Sequence, residues 1–227
     1  MVDLHTHSLL SDGALLPEEL VRRCEELGYR LLVIADHVGL SNAGVVAPQL
    51  VRLCRSLRGK GSVRVCPGAE VTHVRPELIA QAVRLSRRAG ARVVVGHGET
   101  IVEPVLPGTN RALILAGVDV LAHPGMIAEA DARLAAARGV CLEISGRKGH
   151  SLTNGHVVQV SRRSGARLVF GSDGHAPGDY LRREEAERVA LGAGLTPAEV
   201  RRLFANAEEL FLRRAARGRA RSGRQSS

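Results

Sequence analysis

Seven short apolar segments in this chain each end, or nearly end, in residues that bind metals or organise polar chemistry. Residues 2–4 precede His5 and His7, 31–35 precede Asp36 and His37, and 63–69 precede Glu70. Residues 92–96 lead to His97, 118–122 to His123, 140–142 to Glu143, and 168–171 to Asp173 and His175. Strand C-terminal ends facing one cleft repeat such a register, whereas scattered polar residues do not. The chain therefore has the pattern of an α/β protein with a metal site on one face.

Helical periodicity fills the intervals between these segments. Residues 17–28 place Leu20, Val21, Cys24 and Leu27 at helix spacing, with Glu18 and Glu19 in the first turn and Gly28 as terminator. Similar patterns run over 45–57, 76–89, 110–116, 128–137 and 154–164, each followed by a glycine or a Gly-containing turn and then a β-branched run. Repeated βα units follow from this alternation. Thr196-Pro197-Ala198-Glu199 reads as a capped helix start with a capping box, opening a last helix to about Arg214. Seven strands predict a distorted (β/α)7 TIM-like barrel, with an open sheet as the structural alternative; both place ligands at the strand carboxyl ends.

The 227 residues fit one compact domain, and 44% hydrophobic content supplies its core. Aromatic content is only 2%, which leaves few side chains for stacking on bases or sugars. The formal charge of +9 includes six arginines after Leu212, at 213, 214, 217, 219, 221 and 224, so removing them leaves +3. The expected organisation is one domain over 1–212 and a basic, disordered tail over 213–227, with nucleic-acid contact by the tail as the alternative. Cys24, Cys54, Cys66 and Cys141 form no C-x-x-C pair, as in a reducing cytoplasm, and no run of about 18 apolar residues predicts a membrane span. Phosphate-binding glycine loops of the G-x-x-x-x-G-K-[ST] and G-x-G-x-x-G forms are absent, so nucleotide cofactors are not indicated.

His5-Thr6-His7 places two imidazoles on one side of a strand, and Asp173-Gly174-His175 repeats that geometry with a carboxylate and an imidazole. Barrel closure makes these first and last strands neighbours. Glu70 ends an apolar strand where an unpaired buried charge costs several kcal/mol, about the penalty a bridge between two cations removes. His97 and His123 sit at equivalent strand ends and extend the ligand set. Asp12 and His37 suggest a third site with His175, although Ser11-Asp12-Gly13 is also a plausible turn. Asp36 is either a ligand or a carboxylate that orients a neighbouring imidazole.

The ordered combination of His5, His7, Ser11-Asp12-Gly13, Asp36-His37, Glu70, His97, His123 and Asp173-Gly174-His175 resembles the polymerase and histidinol phosphatase (PHP) family over residues 1 to about 180. The loops at 97–110 and 147–154 resemble a compact, histidinol-phosphatase-like branch. The resemblance implies a distorted (β/α)7 barrel that holds up to three zinc, manganese or iron ions and hydrolyses phosphate esters. It implies one ion on His5, His7, Glu70 and Asp173, a second on Glu70, His97 and His123, and a third on Asp12, His37 and His175. Asp12 stands where some relatives carry histidine.

Such a metal pair clamps phosphate oxygens and activates water, so the expected nucleophile is a hydroxide between ions bound through Glu70. Arg147 can fork onto phosphate, Lys148 or His150 can add charge, and His150 can protonate a leaving alkoxide. The alternative for this loop is solvation, with Arg147 paired to Glu143. Glu99 and Glu103 either recognise a cationic or hydroxyl-bearing substrate part or cap the next helix, and Asn154 closes the substrate loop. His73 is expected beside the cleft and His156 in the first turn of a helix, neither as a ligand. The leading expectation is a phosphatase of small-molecule phosphate monoesters, with Glu70, Arg147 and His150 in catalytic roles. Its rivals are a nuclease or phosphodiesterase acting on nucleic acid and a non-catalytic, metal-stabilised interaction domain.

Overall fold

Each expected apolar segment forms a strand because it is rich in Val, Leu, Ile and Ala and is covered on both sides, as parallel sheets require. The strands of this computed structural model, which describes residues 1–216, are β1 (Val2–Thr6), β2 (Leu31–Ile34), β3 (His37–Val38), β4 (Arg64–Val71), β5 (Val93–His97), β6 (Val120–Ala122), β7 (Cys141–Ser145) and β8 (Leu168–Gly171). The helices are α1 (Pro17–Glu26), α2 (Ala43–Ser56), α3 (Pro76–Ala89), α4 (Thr109–Ala116), α5 (Glu129–Arg138), α6 (Asn154–Ser164), α7 (Arg183–Gly192) and α8 (Pro197–Ala216).

The sheet runs β1-β2-β4-β5-β6-β7-β8, parallel throughout, with β3 beside β4. Ile34 lies opposite Pro67 and His37 opposite Glu70, so β2 and β3 share one register along β4. They are two halves of a single strand interrupted at Ala35 and Asp36. Seven strands therefore form the barrel, as the sequence predicts.

Closure is local. Thr6 bridges Gly174, the His7 N–H donates to the Gly174 carbonyl at 2.9 Å, and the Asp173 N–H donates to the His5 carbonyl at 2.9 Å. These bonds join β1 to the exit of β8 at the carboxyl ends, where the metal-ligand types collect. Helix α8 packs across the seam on β8, β1 and β2, burying Val200, Leu203, Phe204, Ala207, Leu210 and Phe211.

Two features differ from the sequence expectation. Helix α7 was not anticipated because its buried stripe is only Ala186 and Ala190, too weak for a periodic signal. Helix α8 continues to Ala216, and Arg214 reaches back to pair with Asp119, which is fully buried and also bonded by Arg87 and the Val94 N–H. Arg213 and Arg214 thus belong to the folded unit rather than to a tail; the rest of the expected tail, 217–227, lies outside the described residues. The four cysteines are free, and no described helix is long and apolar enough to cross a membrane.

Candidate metal centre

Strand alternation turns His5 and His7 to the same side of β1, where both are fully buried. Glu70, at the point where β3 pairs with β4, enters from the opposite side. Its Oε1 lies 3.4 Å from His5 Nε2 and 3.5 Å from His123 Nε2; its Oε2 lies 2.7 Å from His37 Nδ1 and 3.8 Å from His7 Nε2. Asp173 faces it across the cleft, with Oδ1 3.3 Å from His7 Nε2 and Oδ2 3.7 Å from His123 Nε2. Asp12 completes the outer edge, 3.4 Å from His37 Nε2 and 3.2 Å from His175 Nε2.

Four sets of donor atoms in this cleft lie within 4.8 Å of one another: His5, His7 and Glu70; His5, His123 and Asp173; Glu70, His97 and His123; and His7, Asp12, His37 and His175. A divalent ion fits these residues on a direct observation. His5 Nε2, both His7 nitrogens, His123 Nδ1 and Glu70 Oε1 are buried without a hydrogen-bond partner. Buried polar atoms rarely remain so, because desolvation without a partner costs about 1–3 kcal/mol each. A divalent cation in the cleft would give several of these atoms their missing partner, and imidazole and carboxylate are donors that divalent ions accept.

The electrostatics agree. Burial opposes charge on His5, yet Glu143, Glu70 and Asp173 hold its pKa well above the ordinary value. Three carboxylates that favour a proton there favour a metal cation in its place. Burial alone would raise the Glu70 carboxyl, but His5 and His37 hold it well below the usual range, and Asp173 is lowered in the same way by His5 and His7. His7, by contrast, is pushed down to about 3, chiefly by burial. Anionic carboxylates and neutral imidazoles are the forms that ligate metals.

Glu143 is a residue whose part the sequence did not reveal. It accepts from His5 Nδ1 at 2.7 Å, which turns Nε2 into the cleft, and its other oxygen accepts from the His123 N–H at 3.3 Å. A carboxylate behind a ligating histidine fixes the tautomer and raises basicity. Gly171 makes room for this pair: a Cβ there would sit 2.3 Å from Glu143 Oε2 and 2.9 Å from the His5 Cβ. The available signal was an acid inside an otherwise apolar strand. Backbone strain also gathers here, with His123 at φ 27° and Asp173 at φ 53°.

The remaining expected site residues divide between cavity and scaffold. A cavity of about 210 Å³ above the cluster is lined by Arg147, His150, Thr72, His73 and Glu103 together with the outer donors. Arg147 does not pair with Glu143; its Nη1 donates to the Asp173 carbonyl at 3.1 Å and it touches His175. His150 faces the cavity, 3.7 Å from Asp173 Oδ2, with Nδ1 2.7 Å from Thr100 Oγ1. Burial and His123 push it down to about 4, so it is a neutral donor rather than a charged acid at neutral pH.

Three other residues are engaged away from the cavity, Glu99 in the second of the two roles open to it. Glu99 caps α4, accepting from the Asn110 N–H at 2.8 Å, and does not line the cavity. Asn154 is engaged with the Ser145 backbone, accepting from its N–H at 3.1 Å and donating to its carbonyl at 2.8 Å. Asp36 orients no imidazole; it accepts from the Ser8 N–H, Ser8 Oγ and Ser11 Oγ, each at 2.7 Å, and so fixes the turn that presents Asp12. Lys148 is exposed on its loop, and His156 sits in the first turn of α6, bonded to the Ile127 carbonyl. A larger cavity of about 650 Å³ lies between α2 and β4, lined by Arg55, Arg58, Lys60, Arg64 and Arg92, but none of the donor sets reaches it.

Comparison with known proteins gives the same direction. Residues 3–149 match the PHP domain. An uncharacterised protein of Methanocaldococcus jannaschii is 38% identical over 214 residues, 93% of this chain and 98% of that one. A 5'-3' exoribonuclease of Escherichia coli is 36% identical over 72 residues, 32% of this chain and 22% of the enzyme. Histidinol phosphate phosphatase from Lactococcus lactis subsp. lactis, solved with zinc, L-histidinol and phosphate, has a TM-score of 0.60 at 16% identity, covering 86% of this chain and 94% of that one. At that identity the likeness speaks for the fold.

Proposed function

Because the chain belongs to the PHP domain family, we propose that it is a metal-dependent phosphoesterase that hydrolyses a small-molecule phosphate monoester. The observation that carries this reading is the set of buried, partnerless imidazole nitrogens around Glu70, directly beneath a polar cavity. Two or three divalent ions, zinc, manganese or iron, would be held by His5, His7, Glu70 and Asp173, by Glu70, His97 and His123, and by Asp12, His37 and His175. When bound, such ions neutralise phosphate charge and lower the pKa of water. Arg147 offers a forked guanidinium to phosphate oxygens. His150, with Nδ1 held 2.7 Å from Thr100 Oγ1, turns Nε2 toward the same cavity.

Two observations favour a small ester over a nucleic-acid strand. All five aromatic residues, Tyr29, Phe170, Tyr180, Phe204 and Phe211, are buried in the core, so none offers a stacking face. The cavity is also smaller than the roughly 300–1,000 Å³ of drug-sized ligand pockets, a size suited to one phosphate and a short substituent. The local identity to the exoribonuclease supports a second reading, action on the phosphorylated end of a nucleic acid.

Turnover of an aryl phosphate monoester, its diester, a panel of phosphorylated metabolites including histidinol phosphate, and a 5'-phosphorylated oligonucleotide separates the two, with metal content measured alongside. The monoester reading expects release of inorganic phosphate from small monoesters. Activity on the oligonucleotide alone would overturn it.

A further inference from the structure

The loop between β5 and α4 carries a carboxylate that none of the donor sets above includes. Glu103 Oε2 lies 3.0 Å from both His73 Nε2 and His97 Nε2, while Oε1 lies 3.3 Å from His150 Nε2. His73, His97 and Glu103 form a fifth group of donor atoms within 4.8 Å of one another. His97 belongs to this outer group and to the inner one with Glu70 and His123. Its Nδ1 faces the Gly98 carbonyl at 3.2 Å, which leaves Nε2 as its one ligating atom. A single nitrogen serves a single ion, so the two donor sets address the same cation.

His73 supports the arrangement. It is held at φ 50°, a conformation that costs energy for a non-glycine residue, and its ring bonds to Glu103. Glu103 itself belongs to a loop and its side chain is 35% exposed, so it can turn outward without disturbing the barrel.

The geometry points to Glu103, steadied by His73, as a displaceable ligand of the ion that His97 holds. In the substrate-free protein its carboxylate occupies a coordination position that a phosphate oxygen takes over, and His150 then faces phosphate in place of Glu103. The exchange is chemically even, one anionic oxygen donor for another, and it makes the 98–108 loop responsive to substrate. The metal-ligand part stands on the donor geometry; the phosphate part rests on the phosphoesterase reading.

The test uses the full-length chain loaded with zinc, in wild-type form and as Glu103→Gln, Glu103→Ala and His73→Gln. Zinc release to a chromophoric chelator is followed without substrate, and inorganic phosphate binding to the loaded protein is measured separately by calorimetry. Both Glu103 variants are expected to release one zinc at least about tenfold faster, His73→Gln less so, and phosphate is expected to bind several-fold tighter to Glu103→Ala. Release curves that superimpose on the wild type would overturn the ligand role. Faster release with unchanged or weaker phosphate binding would overturn displacement and make Glu103 a permanent ligand. Loss of zinc retention in a protein that turns over no ester would instead count against the phosphoesterase reading and leave the ligand assignment standing.

Discussion

Glu70 is fully buried, yet four imidazoles, from β1 and its exit, β3 and the exit of β6, lie within 4 Å of its two oxygens. A neutral isostere keeps the shape and removes the charge that two cations would share. Glu70→Gln should therefore lower kcat by more than about 100-fold, beyond the 10–100-fold typical of outer partners, and lower bound metal per chain. Unchanged turnover and metal content would contradict its bridging place. Glu143 acts one step back, through His5. Glu143→Ala, and Gly171→Ala through steric overlap, should each weaken metal affinity by about 10–100-fold with little change in the substrate KM, measured by chelator competition and steady-state kinetics. His5, Glu70 and Asp173 were legible because each ends an apolar run. The partners of Glu143 and Glu103 were not, because His5 lies 138 positions from Glu143 and His73 lies 30 from Glu103.

Among the elements, α8 shows how a short motif becomes structure. The Glu199 N–H donates to Thr196 Oγ1 at 3.3 Å and the Thr196 N–H donates to Glu199 Oε2 at 2.8 Å, the capping box that the sequence predicts. Arg162 of α6 adds two hydrogen bonds to the same carboxylate, which with the cap holds Glu199 down to about 2. A depressed carboxyl pKa stabilises the fold above the ordinary value near 4.5 and loses that contribution as pH falls toward 2. The urea midpoint of Glu199→Gln should lie below that of the wild type at pH 7, and the gap should narrow between pH 4.5 and 2. A gap constant across that range would refute the assignment. The cap was readable because all its members sit within four residues; the Arg162 contact, from another helix, was not. Helix α7 escaped for the opposite reason, since two buried alanines give no periodic signature.

Across the whole molecule, the seven strands and the meeting of the first with the last were legible in the alternating segments, while the particular bonds that make the closure were not. The barrel closes through a few bonds between β1 and the exit of β8, and α8 covers the seam. Helical pattern carries the last helix to about Arg214 while charge composition divides the chain at Leu212, and folding places Arg214 against Asp119, a fully buried partner 95 residues earlier. Arg214→Ala should cost about 1–3 kcal/mol of stability by leaving part of that carboxylate unpartnered. A chain ending at Ala216 should retain wild-type stability and turnover in chemical denaturation and kinetic assays, and one ending at Leu212 should not.

Side chains from both ends of the sequence converge around Glu70, and anomalous diffraction from crystals of the manganese-loaded protein locates any cations they hold. At least two peaks should flank Glu70, one against His5, His7 and Asp173 and the other against His97 and His123. A cleft without anomalous density, its histidines and carboxylates hydrogen-bonded only to one another, would rule out a metal centre bridged by Glu70.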